Sequence, residues 1–428
     1  MKAGSGLSAM QPGAGHRRGP AINQPGSVRL PSLPEMAPSP GLPVLLWVLA
    51  GTTVLANIGG EGAFGYNASG LAWVVTLSWA FVVVMKAPSR VVFPVWIWLP
   101  WILAVSLFWY LSRFPSLQRT VQLLCPIVVA AAASTCRLED EQLWKFLRMV
   151  KTLAVVMVAI VVMKTGVIAT GALPFATGLA AQVMTAMMLC CIFAASYAGG
   201  WSGDLRWWLV MVSISVVALT RTAIVATALT LPLTFAPWKL SKRVALLAVL
   251  ALAGWGLFLT PRIQGKMFRS GTGGMTDVLD KDFADNGRFV IWKLMRQGIQ
   301  EKPWLGHGAG AGELFVRNIT AGQLAYPHND WLLTLFDYGV VGTAALVASL
   351  LAASTHAVLC ARRAEGATRL LLLAGASAFI PFAILMYTDN ILVYVSYFGN
   401  LQFAILGLGY GALQLRPGSF PAEVAPHG

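Results

Sequence analysis

The sequence predicts an all-α integral membrane protein of about twelve transmembrane helices, with a long, partly helical loop before the third-last span. Two observations lead there. Of the 428 residues, 57% are hydrophobic and only 11% charged, against roughly 25% charged in soluble domains. The apolar residues also fall in blocks of about 17–25 separated by short polar breaks, the length that crosses a hydrocarbon core of about 30 Å. Within a bilayer only helices and closed barrels satisfy their own backbone, and continuous apolar blocks mean helices.

Residues 1–41 are rich in Pro, Gly and Ser, carry Arg17, Arg18 and Arg29, and lack an apolar core. They read as a disordered cytoplasmic tail, not a cleaved signal, because the first hydrophobic block starts only near Leu42. Nine spans are then expected within 42–260: 42–58, 68–85, 91–111, 117–135, 150–170, 175–197, 205–219, 222–236 and 244–260. A loop follows over 261–328. Three spans within 329–414 (329–355, 368–387 and 393–414) and a cytoplasmic tail over 415–428 complete the chain.

The formal charge of +14 sits mostly in the short polar breaks, where it reports topology and not nucleic-acid binding. Alternate connections hold Lys86 and Arg90; Arg137, Lys145, Arg148 and Lys151; Arg206; Lys239, Lys242 and Arg243; Arg362, Arg363 and Arg369; then Arg416. The intervening ones hold only Arg113 and Arg119, Lys164 and Arg221. The positive-inside rule therefore puts both termini in the cytoplasm and 261–328 outside, where long loops translocate largely regardless of their own charge. Cys125, Cys136, Cys190, Cys191 and Cys360 lie in apolar blocks or at the cytoplasmic face. With none in the loop, neither a disulfide framework nor a zinc site is indicated.

Residues 207–236 form an apolar run interrupted only at Thr220-Arg221-Thr222. As one tilted helix it would invert everything downstream and push Lys239, Lys242 and Arg243 outside. As two helices each is short, about 15 residues or roughly 22 Å, and Arg221 falls at a corner below the outer surface. Burying an arginine there costs about 2.5–3.5 kcal/mol, which points to an anionic partner. The structural alternative is an arginine that snorkels to the headgroups.

The loop opens at Pro261-Arg262, passes a basic glycine-rich stretch from Lys266 to Gly274, and reaches Asn286-Gly287-Arg288. The Asp280-Lys281-Asp282 triplet reads as a solvated acidic loop in preference to a metal-binding pair. From there Phe289, Trp292, Met295 and Ile299 recur at helical spacing, with Arg288, Lys293, Arg296 and Gln300 between them. This predicts an amphipathic helix capped by Asp285 or Asn286, stopped before Pro303, and suited to the membrane's outer face. Arg288 in its first turn, beside free N–H groups, makes an anion site; the alternative is a surface arginine facing lipid phosphates.

Pro303 to Gly312 contains several Gly-x-Gly units, but no strand precedes it and no Lys-Ser/Thr follows, so a nucleotide loop is not indicated. It reads as a turn that lets the backbone approach a ligand or another helix. Tyr326-Pro327-His328-Asn329 closes the loop, with Asn329 an N-cap for the next span. His328 thus lies at the membrane surface on the same side as Arg221 and Arg288, and histidine is the side chain best suited to take a proton near neutral pH.

Together these elements resemble the O-antigen ligase and polymerase superfamily. The shared features are an arginine at an outward corner (Thr220-Arg221-Thr222) and a long periplasmic loop before the third-last span. Within that loop they are Asn286-Gly287-Arg288 with Trp292, Pro303-Trp304-Leu305-Gly306-His307-Gly308, and Tyr326-Pro327-His328-Asn329, with Asp337-Tyr338-Gly339-Val340-Val341-Gly342 following. The likeness runs from about residue 45 to 410. The family usually has a small apolar residue at the position of His307, which here adds a second candidate base. The resemblance implies an enzyme of the bacterial inner membrane that transfers a glycan from undecaprenyl diphosphate on the periplasmic side, with no cofactor or metal. The acceptor would be lipid A–core in a ligase, or another lipid-linked glycan in a polymerase.

The chemistry requires a base for the acceptor hydroxyl and cations aimed at the leaving diphosphate. These roles fall to His328 and to Arg221 with Arg288. His307, Asp389, Asn329 and Tyr326 stand as supporting residues. Asp389, in the last outward connection, is a candidate to orient the histidine or bind a sugar hydroxyl, with a helix cap as its structural alternative. With one base and no carboxylate nucleophile, a single inverting displacement is expected. The ligase reading is preferred to the polymerase one. A transporter or flippase is disfavoured because no repeat relates 42–236 to 244–414.

Overall fold

A computed structural model of the protein describes residues 41–58, 68–113, 115–170, 178–274, 276–279, 283–284 and 287–414. The two expected tails (apart from Gly41), the Asp280-Lys281-Asp282 triplet, and Asp285 and Asn286 lie outside the described residues. Among the described residues the chain is helical, and the nearest approach to a strand is one isolated bridge between Phe268 and Phe283.

Every span expected from the sequence contains a helix. In order these are α1 (Val44–Ile58), α2 (Ala68–Lys86), α3 (Leu99–Leu111), α4 (Leu117–Ser134), α5 (Asp140–Ala169), α6 (Ala180–Ala198), α7 (Asp204–Val217), α8 (Arg221–Leu229) and α9 (Leu240–Phe258). The loop contributes α10 (Pro261–Met267), α11 (Arg288–Glu301) and α12 (Ala311–Ile319). After it come α13 (Asp330–Arg363), α14 (Gly366–Ser377), α15 (Phe379–Leu385) and α16 (Asn400–Leu413). Among the described residues, six stretches are long and apolar enough to cross a bilayer alone: α4, α5, α6, α9, α13, and α14 with α15. Val44–Ile58, Gly70–Lys86 and Val95–Leu111 are apolar but shorter. The chain is a multi-pass membrane protein.

The centre of the bundle is the seam between α4 and α16, made close by small residues. A Cβ on Gly407 would collide with the Ala130 carbonyl, and one on Gly411 would lie 2.6 Å from the Ser134 carbonyl oxygen. Where lipid and side chain are equally apolar, such approach is what draws helices together. Pro126 meets Gly399, Ala130 meets Gly407 and Ser134 meets Gly411, so the two segments ascend together and run parallel. Arg119 near the start of α4, Asp330 at the start of α13 and Leu392 ahead of α16 also touch. Three helices therefore begin at one end of the bundle, and the candidate site residues gather there.

Residues 207–236 fold back as two helices. Leu219, between α7 and α8, takes φ +52°. Trp208 Nε1 donates to Thr230 Oγ1 at 2.8 Å, and the Ser215 and Thr227 hydroxyls lie 3.1 Å apart, the pairing of an antiparallel hairpin. One expectation is corrected: α8 ends at Leu229 and not near 236. Pro232 disfavours helical backbone at Leu231, and Arg243 takes up the carbonyls left over, donating to Pro232 and Ala236 at 2.8 Å each. Those bonds pin the start of α9, none of whose residues is buried.

Helix α13 is broken at Gly339 (φ 60°, ψ −167°). The bonds it forgoes are supplied by the glycine-rich turn of the loop. Val340 N–H donates to the Pro303 carbonyl at 2.8 Å and Val341 N–H to Trp304 at 3.1 Å. In return His307 N–H donates to the Phe336 carbonyl at 2.8 Å and Gly308 N–H to Asp337 at 2.9 Å. The turn thus approaches another helix, one of the two roles expected of it. At Gly306 (φ +66°) a Cβ would sit 2.6 Å from the Asp337 carbonyl oxygen and the Gly339 nitrogen. Gly306→Ala should therefore destabilise the protein by about 3 kcal/mol, seen as a lower unfolding midpoint in detergent. Gly271→Ala, where φ is +86° but nothing lies within 4 Å, should cost only about 1–2 kcal/mol.

Candidate functional site

The loop helix α11 begins at Arg288 and ends at Glu301, short of Pro303 as expected. Its N-cap is Gly287 at φ +76°, with no side-chain cap bond. The expected caps, Asp285 and Asn286, lie outside the described residues; the chain enters the helix through a left-handed residue, which glycine adopts without a steric cost. The inward face differs by a small rotation. Ile291 and Met295 pack with Val316, Leu333 and Phe336, while Phe289 is left 46% exposed. Trp292 turns inward instead of anchoring in lipid. Its Nε1 donates to the Pro327 carbonyl at 2.8 Å and its ring meets Tyr387, as a buried indole requires an acceptor.

That indole bond holds the residue preceding His328. His328 takes φ +51°, rare for any residue but glycine. Asn329 caps α13 as expected, its Oδ1 accepting from Leu332 N–H at 2.9 Å. The His328 side chain is 31% exposed; its Nδ1 lies 3.4 Å from Asp389 Oδ1 and 3.3 Å from Asn390 Nδ2. Asp389 Oδ1 also accepts from Asn390 N–H at 2.8 Å, so it faces both the histidine and the start of the next short helix. The short helix that follows is capped at Asn390 without a side-chain bond. Arg288 reaches the same connection, Nη1 donating to the Thr388 carbonyl at 3.0 Å. Two residues far apart along the loop are thus held by neighbouring residues, 388 and 389.

Arg221 comes from the corner of the α7–α8 hairpin. Its Nη2 donates to the Ala284 carbonyl at 2.9 Å, and its guanidinium lies 4.7 Å from the centre of the Phe283 ring. Phe283 stacks on Phe289, and Phe289 meets Trp292, an aromatic line joining Arg221 to α11. Helix α8 also packs against α15, which leads directly into 386–390. A second cation is close by: burial, and then the charge of Arg221, hold the Lys266 amine below its usual range.

His307 is spent differently. Its Nε2 donates to the Gly298 carbonyl at 2.8 Å and its ring stacks on Phe336 with centroids 4.4 Å apart. These contacts tie the glycine turn to α11 and α13. Tyr326 lies beneath Arg119, 5.7 Å from ring centre to guanidinium. Burial pushes its hydroxyl above the usual range, against the pull of Arg119.

Residues 207–347 match the family model described as O-antigen ligase. The match supports the resemblance to the O-antigen ligase/polymerase superfamily over this third of the chain. Among curated proteins no match is found. The matched segment takes in Arg221, Arg288, His307, Tyr326, His328 and Asn329, but Thr388, Asp389 and Arg119 lie outside it.

Two residues of the matched segment make contacts that the sequence does not foretell. One is Asp337, fully enclosed, whose Oδ1 accepts from Gly312 N–H at 2.7 Å and Oδ2 from Gly310 N–H at 3.1 Å. The other is Asp330, paired with Arg119 at 3.7 Å. Asp330, Thr334 and Asp337 stand at i, i+4 and i+7 of an apolar span, a polar stripe that helical periodicity could have revealed. Asp337→Ala should strip two buried amides of their acceptor and cost about 2–6 kcal/mol. Faster hydrogen exchange at Gly310 and Gly312 would show it; unchanged exchange would mean that the turn holds without the carboxylate.

Proposed function

We propose that this protein is an O-antigen ligase: a glycosyltransferase moving O-antigen glycan from undecaprenyl diphosphate to lipid A–core at the periplasmic face of the inner membrane. The observation that carries the reading is the shared connection. Arg288 and His328 are held by adjacent residues, Thr388 and Asp389, at the bundle end where Arg221 also lies. In this reading about twelve spans cross the bilayer, both termini are cytoplasmic, and 261–328 is the periplasmic loop that completes the site.

The acceptor hydroxyl oxygen attacks the anomeric carbon as His328 takes its proton. Asp389 accepts from Nδ1–H, fixing the tautomer in which Nε2 is the base, and stabilises the imidazolium that forms. The bond between the anomeric carbon and the diphosphate oxygen breaks, and undecaprenyl diphosphate leaves with the electron pair. Arg221 and Arg288 receive that charge; a guanidinium fork suits two phosphate oxygens at once. With the charge so met, no metal is required. One displacement with one base inverts the anomeric centre.

Purified protein supplied with undecaprenyl-diphosphate glycan and lipid A–core should form product in the presence of EDTA. His328→Ala should lower kcat by about 10²–10⁴ with donor binding retained, whereas Arg221→Ala should weaken both binding and turnover. Donor binding that collapses in His328→Ala but survives in Arg221→Ala would overturn these roles. Undecaprenyl-linked glycan lengthened by donor alone would make the protein a polymerase of the same superfamily.

A further inference from the structure

Arg119 stands in the first turn of α4, 6% exposed at its side chain, and has no role in the displacement itself. Its guanidinium touches both flanks of His328. It lies over the ring of Tyr326, two residues before the histidine, and Nη2 is 3.7 Å from Oδ1 of Asp330, two residues after it. Between those contacts His328 holds φ +51°, a backbone conformation kept only where the surroundings over-determine it.

Asp330 carries the constraint across to the opposing connection. Its Oδ2 accepts from Leu392 N–H at 2.7 Å, and its own N–H donates to the Met386 carbonyl at 2.7 Å. These two bonds bracket Thr388, Asp389 and Asn390, the residues that hold Arg288 and His328. Asp330 is 0% exposed among apolar helices, and an anion so enclosed needs a cation beside it. Arg119 provides one.

We propose that Arg119 is a positioning residue for His328. By packing on Tyr326 and balancing Asp330 it sets the histidine against Asp389 and fixes the connection that also holds Arg288. The proposal rests on the reading of His328 as the base. It adds to that reading a residue on α4, outside the matched segment, on which the base depends. An ion pair that served the fold alone would alter the yield or melting of the protein and leave the histidine ring and turnover per folded molecule as they were.

The test uses the full chain in detergent, labelled with ring-¹⁵N histidine, with the His328 signals identified by their loss in His328→Ala. In Arg119→Gln the His328 signals should shift while those of His307 and His356 stay in place; Arg119→Lys should shift them less. Per folded molecule, kcat should fall about tenfold or more in Arg119→Gln with donor KM within about twofold, and Arg119→Lys should recover part of the loss. Unmoved His328 signals, or a shift shared by all the histidines, would overturn the proposal. If Arg119→Gln fails to fold, Asp330→Asn is read by the same criteria, since it keeps an acceptor for Leu392 N–H and removes the charge Arg119 faces. If the wild-type protein moves no glycan, the ligase reaction fails, and the histidine spectra still decide whether Arg119 positions His328.

Discussion

A helix that breaks among apolar neighbours must hand its freed N–H and C=O groups to some other partner, because the surrounding hydrocarbon offers none. Helix α13 meets that requirement at Gly339 by engaging the loop itself. Pro303, Trp304, His307 and Gly308 form with α13 the bonds that its own next turn would have made. The glycine-rich turn is thereby built into the bundle as a substitute for helical backbone. Asp337 holds its far side, and His307 extends the same attachment to α11. The loop could not be moved as a unit without opening the helix beneath it.

That attachment gives α11, and so Arg288, a fixed place. The remaining groups are brought in from other directions: Arg221 from the hairpin corner, His328 from the last residues before α13, and the 386–390 connection from the end of α15. Each is tied to a neighbour by a contact involving main chain or an aromatic ring as well as charge. Phe283, Phe289 and Trp292 link the corner to the loop helix, and Pro327 links that helix to the histidine. In the proposed reaction, charges embedded in such a frame would face a developing negative charge without first having to rearrange, which is the condition under which electrostatic stabilisation is strongest.

Much of this could be read from the residues alone, for reasons of length and period. Each apolar block contains a helix among the described residues, because a bilayer leaves few alternatives to a helix. The corner at Thr220-Arg221 and the Asn329 cap were legible because a charge in an apolar run and an Asn ahead of one have few readings. The misreadings were local. Pro232 cuts α8 short, and Trp292 faces inward because its indole N–H has an acceptor in Pro327. What the pattern could not supply was partnership over long distances in the chain. Arg119 looked like a topology marker, and only the fold puts it between Tyr326 and Asp330.

The two bonds that the 386–390 connection makes to the site differ in kind. Asp389 holds His328 through a side chain, whereas Thr388 holds Arg288 through its carbonyl oxygen. A main-chain acceptor is present whatever residue occupies the position. The bond at position 388 therefore survives any residue that keeps the path of the backbone, while the bond at position 389 needs an acidic or amide group. Sequence drift in this connection would be channelled accordingly, with the arginine's anchor hidden from any comparison of side chains and the histidine's exposed to it.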